Sequence, residues 1–101
     1  MLTPLHNQTA DRILAHYGTE NQKIQAVQEL SELILLLTRR ADQITSQFCE
    51  DVTSELADCY IMLRQVQTMY GITDAAITEQ IDRKELRQLE RIDREILHYD
   101  P

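Results

Sequence analysis

Apolar residues return every three or four positions through most of this chain, and three polar breaks divide them into four stretches. In the second stretch the series is Ile24, Val27, Leu30, Leu33, Ile34, Leu35, Leu36 and Leu37. In the third it is Val52, Leu56, Ala57, Cys59, Ile61, Met62, Leu63 and Val66. Steps of three and four keep side chains on one face of an α-helix. The fourth stretch is narrower, with Ile81, Leu89, Ile92 and Ile96 on one side and charges elsewhere, as on an amphipathic helix.

Punctuation residues set the expected ends. A first helix should run from Thr3 or Pro4 to Tyr17, with Pro4 in the opening turn and Gly18 as a left-handed stop. Thr19 and Gln22 have capping-box spacing and should launch a second helix through roughly Arg40, with Arg39 and Arg40 at its negative end. After a polar break at Ala41 to Ser46, a third helix should reach about Tyr70, carrying Glu50 and Asp51 near its start and Gly71 at its stop. Thr73 or Asp74 can cap a fourth that continues to Leu97, leaving His98 to Pro101 to fray.

Composition sharpens this to an all-α chain. Two Gly and two Pro among 101 residues provide few sheet turns, while Leu, Gln, Glu, Arg and Ala favour helix. The length suits a single domain, residues 1–101, folded as a four-helix bundle-like chain. The second and third helices are apolar around so much of their circumference that a second copy is expected to cover the remainder, giving a homo-oligomer.

Charge excludes some partners. A net charge of −7 disfavours a nucleic-acid polymer or an anionic membrane, which need a concentrated positive field. A small nucleotide carried by a metal is compatible with it. Cys49 and Cys59 would stand about 15 Å apart on one helix, too far for a disulfide, and read as core thiols of a reducing compartment. No long apolar run or basic leader is evident, so the expected location is cytoplasmic.

The acids carry the chemistry. Five pairs among the 17 acidic residues stand three apart. Glu79/Asp82, Asp82/Glu85 and Glu90/Asp93 are interleaved with Arg83, Lys84, Arg87, Arg91 and Arg94, the pattern of a salt-bridged, solvated helix face. Glu29/Glu32 and Glu55/Asp58 differ. Glu29 and Glu32 are the only charges from Ile24 to Thr38, and no Lys or Arg occurs from Ala41 to Leu63. Carboxylates without cationic neighbours call for a hard divalent metal.

If the second and third helices form an antiparallel hairpin turning near residues 43 and 44, Glu32 and Glu55 each lie about 12 Å from the turn. Glu29 and Asp58 are then level one turn further on. Residues three apart share a face, so the four acids form a rectangle that suits Mg²⁺, or Mn²⁺ in its place, and not structural zinc. Asp51, one turn before Glu55, is either an auxiliary ligand or an ordinary helix-start acid. Lys84, Arg87, Arg91 and Arg94 span an arc of about 80° on the fourth helix. This stripe is either a solvated face or a phosphate contact, with Lys84, Arg87 and Arg91 the preferred contacts. Gln22, before Glu29 on the second helix, is a further candidate for the substrate, as is Gln25.

E-x-x-E at Glu29 and Glu32, then E-x-x-D at Glu55 and Asp58 after 22 intervening residues, resembles the signature of the MazG-like all-α nucleoside triphosphate pyrophosphohydrolases. QAVQELSELILLL and EDVTSELADCYIMLRQVQTMYGI look like that family's two core helices, and DRKELRQLERI like its basic helix. The resemblance implies that Glu29, Glu32, Glu55 and Asp58 bind Mg²⁺ and serve catalysis, in a dimer or tetramer that converts nucleoside triphosphates to monophosphate and pyrophosphate. Gln28 stands where the family often has a glutamate, which puts rate or specificity in question. The competing class is a non-catalytic nucleotide-binding or oligomerising helical module. A Ser/His/Asp set, a Gly-rich phosphate loop and a CxxC pair are all missing from the sequence, so those chemistries have no support.

Overall fold

A computed structural model describes residues 1–39 and 44–98. It contains four helices: α1 (Pro4–Tyr17), α2 (Thr19–Leu37), α3 (Ser46–Met69) and α4 (Asp74–Leu97). The described residues include no strand, so the chain is all-α as expected. Arg40, the break from Ala41 to Gln43 and the tail residues 99–101 lie outside the described residues.

Local chemistry explains most of the ends. Thr3 Oγ1 accepts from the His6 amide and His6 Nδ1 accepts from the Thr3 amide, both at 3.1 Å, so histidine completes the capping box that opens α1. Gly18 closes α1 with φ +87°, a value that side-chain-bearing residues rarely adopt. Thr45 and Thr73 cap α3 and α4 by accepting from the amides of Phe48 and Ala76.

Two expected ends are corrected. The Thr19/Gln22 capping box does not form, because Gly18 is the N-cap and the Gln22 side chain turns into the core. Moreover, α2 stops at Leu37. The Thr38 hydroxyl donates to the Leu35 carbonyl at 2.7 Å, an alternative to continued helical pairing, so Arg39 lies beyond the last turn.

The chain divides into two compact units, Met1–Gly71 and Ile72–Pro101. In the first, α3 packs against both α1 and α2, and α1 against α2. Ala10, Leu14, Ala26, Cys59 and Met62 form its small apolar core, with Gln22 and Gln65 buried among them. Arg64 Nε and Nη2 donate to the Asp11 carboxylate at 3.2 and 3.0 Å, and Thr68 Oγ1 donates to it at 2.8 Å, which ties α1 to α3. The pairing of Cys49 and Cys59 as core thiols holds for one of them. Cys59 is buried and Cys49 exposed, since ten residues of helix rotate the second thiol about 80° from the first.

Contacts fix the direction of α2 against α3. Gln22 meets Gln65, Glu29 meets Cys59, and Arg39 meets Phe48. Numbers rise along α2 as they fall along α3, so the helices are antiparallel, and each pair is centred on residue 43 or 44. This is the register the acidic motifs require. In the second unit, α4 buries no residue. Among the described residues, no helix is long and apolar enough to cross a membrane.

Candidate metal centre

The antiparallel register sets Glu29 and Glu32 of α2 against Glu55 of α3. One carboxylate oxygen from each lies within 4.8 Å of the other two, and all three side chains are half-buried. The residues are held there by helix geometry: Glu29 and Glu32 rise from successive turns of one face, and Cys59 Sγ donates to the Glu29 carbonyl at 3.7 Å, closing the helices at this level.

Hydrogen bonding leaves the cluster incomplete. Gln25 Nε2 donates to Glu29 Oε1 at 2.8 Å, but Glu29 Oε2 and Glu55 Oε2 are buried without a partner. Such atoms are uncommon in folded proteins, because a buried carboxylate oxygen loses water without replacement. Burial pushes the Glu29 carboxyl above the usual carboxylate range; the Gln25 hydrogen bond opposes the shift, and the charges of Glu32 and Asp58 add to it. Burial raises Glu55 too, reinforced by Glu32, Glu29 and Asp58. Cys59 is raised by burial first and then by all four acids, so its thiol stays protonated.

Asp58 stands apart from the converging three. It is not in the set within 4.8 Å, yet its charge acts on Glu29, Glu55 and Cys59. The expected rectangle is therefore a compact triangle with a fourth acid beside it. Asp51 is also outside the triangle; it accepts from Gln47 Nε2 at 3.0 Å.

Two open cavities flank these acids. One, of ≈ 560 Å³, is lined by Glu29 and Asp58 together with Gln22 and Gln65. The other, of ≈ 360 Å³, is bounded by Glu32, Asp51, Glu55 and Arg39. Gln22 and Gln25 thus line the first cavity. Lys84, Arg87 and Arg91 are exposed on α4, in the second unit. Among the described residues of the first unit, Arg39 lines a cavity with Glu32 and Glu55.

A hard divalent cation fits this donor set. All donors are carboxylate oxygens, two of them buried and unpaired, and the mutual repulsion of three acids is relieved by a +2 charge. Arg39 and Gln65 are the site residues that the sequence reading passed over. In the sequence, Arg39 has the position of a helix-dipole partner. Gln65 had a visible signal, an amide three residues after Met62 on the apolar side of α3. Comparison with protein-family models, curated proteins and solved structures finds no match to this chain.

Proposed function

We propose that this chain is a Mg²⁺-dependent nucleoside triphosphate pyrophosphohydrolase, releasing the monophosphate and pyrophosphate. The observation that carries this reading is the convergence of Glu29, Glu32 and Glu55 with two buried, unpaired oxygens, at the motif spacing that resembles the MazG-like enzymes. Glu29, Glu32 and Glu55 hold the cation, with Asp58 as the adjacent acid; Mn²⁺ can replace Mg²⁺. When bound, the metal supplies neutralising charge for the phosphates and acidifies water.

The chain's own residues do the remainder. Glu29 Oε1 accepts from Gln25 with one lone pair and takes the proton of the attacking water with the other, which leaves Oε2 for the cation. The water oxygen bonds to the α-phosphorus as the bond from that phosphorus to the oxygen bridging to the β-phosphorus breaks, and pyrophosphate departs with the electron pair. General-base assistance of this kind contributes about 10²- to 10⁴-fold. Arg39, on the wall shared with Glu32 and Glu55, meets the charge of the departing pyrophosphate. A second copy, in a dimer or tetramer, covers Ile24, Val27, Ile34, Leu35 and Leu37, which are 60–69% exposed in the single chain.

Purified protein with a panel of NTPs and dNTPs, with and without Mg²⁺, tests the reading. Metal-dependent pyrophosphate release that disappears in Glu32→Gln supports it. Nucleotide capture without release identifies the non-catalytic module instead.

A further inference from the structure

Gln65 is buried at 0% exposure among the residues that line the ≈ 560 Å³ cavity, and its Nε2 has no hydrogen-bond partner. Its Oε1 accepts from Gln22 Nε2 at 2.7 Å, and Gln22 is itself 6% exposed. Amides are rarely buried in a helical core, and a buried N–H left unpaired is worse than none. Packing alone would be better served by Leu or Met at both positions. The pair lines the ≈ 560 Å³ cavity that Glu29 and Asp58 also line, and that volume is in the range of small-molecule sites.

The lining specifies the guest. It contains no Lys or Arg, and its only charges are the two acids at the metal-centre end, so an anionic group is unwelcome beside the amides. Ile13, Ile61 and Met62 offer apolar surface, and Tyr17 adds an aromatic ring. A neutral, flat, partly apolar group with a hydrogen-bond acceptor on its edge satisfies these walls and the idle Gln65 N–H together. Phosphates joined to that group are directed toward the carboxylates.

We infer that this cavity binds the nucleobase of the substrate, with Gln65 donating to a base acceptor and Gln22 holding the Gln65 amide in orientation. The inference rests on the nucleotide reading above and adds to it a base-selecting residue. It also explains why an amide pair is kept in a core of only a few apolar side chains. Selectivity by such a donor can be large, because a wrong edge leaves the amide unpaired.

The test uses nucleosides without phosphates, so that the metal centre is not involved. The four common ribonucleosides and their deoxy forms are titrated into the full chain, metal-free, and binding is followed by amide chemical shifts. Expected is saturable binding with at least a tenfold preference for one base and shifts at Gln22, Gln65 and Met62. Gln65→Met should erase the preference while Mn²⁺ affinity stays within twofold. If that variant does not fold, Gln22→Met is the substitute, expected to weaken the preferred base at least fivefold. No shift at these residues with any nucleoside, or a base preference unchanged by substitution, overturns the inference. Loss of pyrophosphate release in wild-type protein that still binds nucleosides would sink the hydrolase reading and leave this one standing.

Discussion

Two regions of this molecule carry acids three residues apart, and they treat them in opposite ways. On α4, Glu79 is exposed and paired with Arg83 one turn along, and every neighbour of the series is in solvent. Between α2 and α3, Glu29, Glu32 and Glu55 are half-buried, close together and short of partners. The same spacing is solvation on one helix and an unmet demand for charge on the other. What separates them is the neighbours: alternating Arg and Lys in the first case, Leu, Ile and Val in the second.

The largest effect expected from breaking this contrast is on turnover. Glu32→Gln should reduce pyrophosphate release by more than about 100-fold, since even outer-shell partners of metal ligands are worth 10- to 100-fold. The matched change on α4, Asp82→Asn, should leave the rate within about twofold. Equal losses in the two variants, read in the same steady-state assay, would erase the distinction.

Metal should stabilise one region and ignore the other. Mg²⁺ at about 100 times its dissociation constant should add about 2.7 kcal/mol to the unfolding free energy of the wild-type protein. Glu29→Gln should abolish that gain while raising the melting temperature of the metal-free protein, because it removes a crowded charge. Thermal scans with and without Mg²⁺ check both halves.

The response to pH has a definite sign. Burial and like charges raise Glu29 and Glu55 above their unfolded value, so between that value and the folded one the native state binds more protons. Metal-free stability should rise as pH falls from 7 toward the raised carboxylate range. Saturating Mg²⁺ should remove the slope, which urea titrations across pH 5 to 7.5 would reveal. Asp11 acts in the opposite sense. Its hydrogen bonds from Arg64 hold it below the ordinary value, so its stabilisation is present above pH 4 and is lost as acid titrates the folded group.

Smaller effects mark structural ion pairs. Asp11→Asn should cost about 1 kcal/mol, the scale of a partly exposed bidentate pair. Glu79→Gln, on the solvated face, should cost at most about 0.5 kcal/mol by denaturant unfolding.

Much of this was legible in the sequence for physical reasons. Helix ends marked by Thr3, Gly18, Thr73 and Gly71 are local chemistry, and apolar spacing gave the all-α class. The register of α2 on α3 followed from helix rise alone, which is why Glu32 and Glu55 meet. What depends on side-chain direction in three dimensions was not legible. Gln22 has the spacing of a capping residue and instead enters the core, because Gln65 is there to receive it. Asp58 is level with Glu29 by rise, yet its carboxylate is outside the tight set. Arg39 reads as a dipole partner until Thr38 ends the helix early.

The central claim is that the unpaired carboxylates of α2 and α3 hold a divalent cation. Titration of Mn²⁺ into the protein, followed by the electron paramagnetic resonance of the free ion, tests it most directly. The account predicts saturable binding that is lost in Glu29→Gln and Glu32→Gln and retained in Asp82→Asn. Free-ion signal that grows linearly from the first addition, or binding that survives both α2 substitutions, would contradict it.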